Sequence, residues 1–140
     1  MSLELGGKNA AIVMDDADLN LAVSGVVRSS FLNSGQICLC GSRVLIHDSI
    51  YDDFMKAYLQ QVRDFKIGPV ISNQHLEKVL SYIKLAKDEG GEILFGGNAI
   101  DKPGAWIQPT VVGNISHMSR TATEEIFGQQ ILQFFLLVGL

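Results

Sequence analysis

Apolar residues recur along this chain with two periods. From Asp15 to about Leu32, the residues Leu19, Ala22, Val23, Val26 and Val27 fall three and four apart, which is the spacing of one helix face. Asp15, Asp16 and Asp18 precede that face directly and suit a helix cap and first turn. A second helix is expected from Asp48 or Ser49 to about Phe65, with Tyr51, Phe54, Met55, Tyr58, Val62 and Phe65 on one side; aromatic residues at this spacing read as core. A third runs from Ser72 to Glu89, with Leu76, Val79, Leu80, Ile83 and Ala86 as its stripe, and stops at Gly90-Gly91. Short β-branched runs predict strands at Asn9 to Met14, Arg43 to His47, Glu92 to Phe95 and Ile107 to Val112, with a turn-rich loop from Gly96 to Ala105. A last apolar run, Gln130 to Val138, also reads as a strand. Because no turn follows it, the stretch to Leu140 is expected to be unpaired and a template for association with another chain. Strands alternating with helices predict an α/β fold, a mostly parallel sheet with flanking helices.

At 140 residues the chain is long enough for one domain with a core of its own. An apolar share of 47% against 19% charged is high for a small domain, and is what a piece of a larger core would show. The formal charge is -4 with scattered Lys and Arg, so there is no basic footprint for nucleic acid. Cys38 and Cys40, separated by one residue, cannot close an unstrained disulfide with each other. Two cysteines are too few for a secreted framework, so a reducing, cytoplasmic setting is the default. Met1 runs straight into a charged Gly-rich stretch, so no secretory leader is expected. The longest apolar run, Phe134 to Val138, is far too short to span a membrane.

The candidate chemistry centres on Asn33-Ser34-Gly35-Gln36-Ile37-Cys38-Leu39-Cys40-Gly41-Ser42-Arg43. A thiol attacks as the thiolate, which backbone N–H dipoles or a helix N-terminus favour. Gly35 and Gly41 would let the backbone bend around the sulfur, while Ile37 and Leu39 would seat the turn on a core and leave Cys38 facing away. The competing reading is that Cys38 is a buried small hydrophobe, as free cysteines commonly are. Cys40 reads as such a packing residue.

Asn-x-Gly-Gln-x-Cys, preceded by Leu3-Glu4-Leu5-Gly6-Gly7-Lys8 and followed by Glu124-Glu125-Ile126-Phe127-Gly128, resembles the NAD(P)-dependent aldehyde dehydrogenase superfamily in block order and spacing. Cys-Leu-Cys after Gln-Ile further resembles the branch acting on muconic semialdehydes. The resemblance implies an oxidoreductase that converts an aldehyde to a carboxylic acid through a thiohemiacetal and thioester on Cys38. It implies Glu4 as general base, although Glu4 taken alone could equally be a solvated carboxylate near the N-terminus. It also implies Glu125 as the acceptor of ribose hydroxyls, Phe127 as a contact of the nicotinamide ring, and NAD or NADP as cofactor. No metal is implied. Residues 1–140 would be the first part of a catalytic domain, with the cofactor-binding domain and the Asn of the oxyanion hole absent.

Three departures stand out. Asn9-Ala10 replaces the common Asn-Pro or Ser-Pro, Gln129 stands where relatives have Pro, and a loop of the relatives is missing between Gly68 and Pro69. Gly6-Gly7-Lys8 lacks the flanking residues of a phosphate loop. Gly90-Gly91 and Gly96-Gly97 read as turns, and Cys38, Cys40 and His47 lack the second pair that a tetrahedral zinc site needs. His75 and His117 read as lone surface residues. The expected partner is a small aldehyde, with no nucleic acid and no membrane; relatives are homo-oligomers, and this chain could self-associate. The alternatives are a noncatalytic fragment that associates with full-length relatives, and cofactor-free ester hydrolysis through Cys38 and Glu4.

Overall fold

The computed structural model describes residues 1–3, 6–129 and, for the backbone alone, 131–137. The chain alternates as expected: β1 (Asn9–Val13), α1 (Leu19–Phe31), β2 (Gly41–His47), α2 (Tyr51–Asp64), α3 (Asn73–Asp88), β3 (Glu92–Phe95), β4 (Thr110–Gly113), a one-turn α4 (Arg120–Thr123) and β5 (Ile131–Leu137). The strands form one sheet in the order β1-β2-β5-β4-β3. All neighbours run parallel except β3 and β4.

The caps follow the sequence signals. Asp18 accepts the Leu21 amide at 3.0 Å to start α1, and Ser72 accepts that of His75 at 3.1 Å to start α3. Before α2 the chain makes a 3-10 turn over Asp48–Ile50, with the His47 ring as its cap. The aromatic stripe is core: Phe54, Met55, Tyr58 and Val62 are buried with Val23, Val27 and Phe31 of α1 and with Val44 and Ile46 of β2. Phe54 and Tyr58 stack at 5.6 Å. A second apolar cluster joins Val79, Ile83 and Ala86 of α3 to Ile107, Val112 and Ile126.

Two expectations are corrected. β4 starts at Thr110 because Pro109, with no N–H to donate, interrupts the ladder; Ile107 makes only a single bridge, to Ala99. β5 is not an unpaired edge. Its backbone sits at the centre of the sheet, paired with β2 from Arg43↔Gln133 to His47↔Leu137 and with β4 from Thr110↔Ile131 to Val112↔Gln133. A continuous apolar run is what a doubly flanked parallel strand carries, so β1 and β3 are the sheet edges.

The junction at Gly68-Pro69 is pinned from several directions. The Val70 amide donates to Ala105 O at 2.9 Å, the Ile71 amide to Gln36 Oε1 at 2.9 Å, and Gln129 Nε2 to Gly68 O at 2.8 Å. Gln129 is fully buried.

Candidate active site

The loop that carries Cys38 connects α1 to β2 and is shaped by an unusual backbone. After α1, Asn33, Ser34 and Gly35 take φ of 51°, 58° and 71°. This left-handed stretch suits glycine and is tolerated by asparagine. It turns the chain out of the helix so that residues 37–40 form a tight turn, closed by the Cys40 amide donating to Ile37 O at 2.9 Å. Cys38 is exposed and Cys40 is buried at 4% exposure. Burial pushes the Cys40 thiol pKa up, and its Sγ lies 3.8 Å from Leu32 O. The expected seating is therefore altered. Leu39 is 82% exposed, Ile37 is half-buried, and Cys40 is the buried side chain of the turn in Leu39's stead.

The N-terminal block lies beside this loop. Asn9, at the start of β1, donates from Nδ2 to Cys38 O at 2.7 Å and to Cys40 O at 3.2 Å. Arg43 donates to Lys8 O at 2.6 Å. Lys8 Nζ is buried with no hydrogen-bond partner among the described residues, and its pKa is lowered to about 8 by burial and then by the Arg43 charge. Glu4 lies outside the described residues.

The third block comes to the same end. A Cβ on Gly6 would stand 3.0 Å from Glu125 Oε2, so the exposed Glu125 carboxylate lies against the turn that follows Glu4. Its neighbour Glu124 is held by Arg120 Nε at 2.7 Å and by Tyr82 Oη at 2.6 Å. These two bonds bring its pKa down to about 2. Glu89, the residue that caps the C-terminus of α3, accepts the amides of Arg120 and Thr121 at 2.8 and 3.1 Å, which ties α4 and the acidic pair to the end of α3.

Phe127 has φ of 58° and 38% exposure, and its carbonyl meets His75 Nε2 at 2.5 Å. Gly128 is required here, since a Cβ would stand 2.7 Å from Val79 and 3.1 Å from His75 Nε2. His75 is thus no lone surface residue; nothing in its local sequence marks a contact 52 residues away. Phe127 lines a cavity of about 410 Å³ with Asn33, Gln36, Ile71 and His75. Asn33 and Gln36 of the Cys38 loop thus share this concavity with Phe127, while Cys38 is not among the residues that line it.

Comparisons with known proteins bear on the family and the fold. The family described as "Aldehyde dehydrogenase family" matches residues 1–131. The chain belongs to the aldehyde dehydrogenase family. It is 44% identical over 146 residues to the 2-aminomuconic semialdehyde dehydrogenase of Homo sapiens, covering 91% of this chain and 30% of that protein. It is 41% identical over 143 residues to the 2-aminomuconic 6-semialdehyde dehydrogenase of Pseudomonas sp, covering 91% and 29%. Among solved structures, the betaine aldehyde dehydrogenase of Staphylococcus aureus in complex with NAD+ aligns with a TM-score of 0.88 at 38% identity, covering 95% of this chain and 29% of that one. The chain thus spans under a third of the length of these relatives. Among the described residues, no helix is long and apolar enough to cross a membrane, and no group of three or more His, Cys, Asp or Glu is placed to hold a metal ion.

Proposed function

We propose that this chain is the nucleophile-bearing part of an aldehyde dehydrogenase catalytic domain, acting on a small aldehyde, with a semialdehyde of the muconic type as the substrate class favoured by its relatives. The observation that carries the reading is the split between the two cysteines. Cys38 is exposed on a fixed turn while Cys40 is buried beneath it, which leaves a single thiol presented to solvent.

The chemistry proceeds in two halves. Cys38 Sγ, as thiolate, forms a C–S bond to the aldehyde carbonyl carbon, and the carbonyl oxygen becomes an alkoxide that backbone N–H groups of the turn can stabilise. A bound NAD or NADP, held in part by Glu125 and Phe127, would supply the hydride acceptor, and loss of hydride from this carbon leaves a thioester on Cys38. Glu4 then takes a proton from water as the water oxygen bonds to the thioester carbon, the C–S bond breaks with its electron pair on sulfur, and the carboxylic acid is released with the Cys38 thiolate restored.

The residues present suit the nucleotide. Glu125 offers an exposed carboxylate to two ribose hydroxyls, and Phe127 offers a partly exposed ring at the cavity edge. The rest of the nucleotide site and the side-chain donor to the alkoxide would come from segments that the longer relatives possess. The test replaces the matching segment of the human relative with this chain and follows NADH absorbance on adding aldehyde and NAD+. The replacement should support NADH formation while the 140-residue chain alone does not. Turnover by the chain alone would contradict the division of labour, and a folded but inert replacement would contradict the assignment.

A further inference from the structure

We infer that Asn9 is a positioning residue for the Cys38 turn, an inference that rests on the reading of Cys38 as nucleophile. The argument begins in the β1–β2 ladder. Asn9 pairs with Gly41 but Ala10 pairs with Arg43, so the register slips by one residue and Ser42 has no partner in β1. The slip is stabilised by Ser42 Oγ, which donates to Asn9 O at 3.1 Å. A bulge of this kind re-aims the side chain beside it. Here the Asn9 side chain reaches along the sheet end to the nucleophile turn, where Nδ2 donates to Cys38 O at 2.7 Å and Cys40 O at 3.2 Å. Both acceptors are carbonyls, so the contacting atom is the amide nitrogen, and its two protons are both used.

These bonds fix the peptide planes after Cys38 and after Cys40, and the Cys40 amide is fixed in turn by Ile37 O at 2.9 Å. The turn is thereby held from the sheet edge as well as from within, with the Cys38 side chain left exposed. A clamp on backbone that flanks a nucleophile matters most for a reaction that passes through an oxyanion, because the N–H groups receiving that charge must already be in place. It matters little for a displacement that needs only an accessible thiolate.

Two reagents separate these cases on the 140-residue chain. With p-nitrophenyl acetate, Cys38 Sγ adds to the ester carbonyl, the C–S bond forms, and the C–O bond breaks as p-nitrophenolate leaves with the electron pair. With iodoacetamide, Sγ displaces iodide and no oxyanion forms. Fragment-ion mass spectrometry assigns each label to Cys38 or Cys40. Asn9→Asp, which is isosteric but has no donor, and Asn9→Ala are expected to slow acylation of Cys38 about tenfold, as the loss of one to two hydrogen bonds would. Alkylation should change by less than about twofold, since it needs no oxyanion donor. Unchanged acylation overturns the inference, and so does equal slowing with both reagents, which would assign Asn9 to the fold alone. If Cys38 of the unmodified chain is acylated no faster than Cys40, the nucleophile reading itself fails, which is a separate result. The unmodified chain also supports a readout free of folding defects in the variants. A scalar coupling across the hydrogen bond, from the Asn9 side-chain ¹⁵N to the Cys38 carbonyl ¹³C, is expected, and its absence would overturn the inference.

Discussion

Gln129 donates through Nε2 to the carbonyl of Gly68 at 2.8 Å, across 61 residues of chain. One end of this bond is a fully buried side chain, and the other is the glycine that precedes Pro69 in the α2–α3 connection. The two positions thus meet in space. The partly buried carbonyl of Gly68 is satisfied by a fully buried amide.

Gln129→Ala should therefore cost about 2–3 kcal/mol, combining an unsatisfied buried carbonyl with a small cavity. Gln129→Leu should cost less, because it fills the space and removes Gln129 Oε1, which is buried without a partner among the described residues. Urea unfolding of the three chains checks this order, and equal stability of all three would dismiss the Gly68 contact.

Lys8 gives stability an alkaline dependence. Its folded pKa is depressed from 10.5 to about 8 by burial and then by Arg43. Below about 8 the lysine is charged in both states and the folded chain carries the full penalty. Between about 8 and 10.5 the unfolded chain binds more protons, so this contribution rises with pH. Lys8→Met should be the more stable chain at neutral pH by on the order of 3 kcal/mol, with the difference closing toward pH 10.5. Comparing the two chains cancels the titration of tyrosines and Cys40, and a difference independent of pH would reject the account.

Glu124 acts at the opposite end. Its pKa is depressed from 4.5 to about 2 by Arg120 and then Tyr82, so its stabilising effect is present above 4.5 and is lost as pH falls through about 2. Glu124→Gln should lower the urea midpoint at pH 6 and converge with the unmodified chain at the acid end. A gap that persists at the lowest pH would mean that charge is not what holds Glu124.

The sequence carried the regular elements and the three motif blocks, because helical and strand periods and caps are local. The stripes on α1, α2 and α3 and the caps at Asp18 and Ser72 needed nothing beyond neighbours three or four residues away. Long-range features were not legible. The central position of β5 depends on which strands flank it, and an apolar run suits either a central strand or an unmanaged edge. Leu39 was expected inward and Cys40 only as packing, but the left-handed run at Asn33 and Ser34 rotates the turn and reverses the seating of Leu39. The clamp from Asn9 and the contact from His75 to Phe127 join residues 29 and 52 positions apart, so no window of sequence contains both partners.

The central claim, that Cys38 captures the aldehyde, is tested most directly by stopping turnover of the chain placed within the human relative and locating the covalent adduct. Intact-mass analysis of samples quenched during aldehyde oxidation should find one acyl group per chain, which fragmentation assigns to Cys38, and Cys38→Ala should lose both the adduct and NADH formation. An adduct on Cys40, or NADH formation that survives Cys38→Ala, would contradict the account.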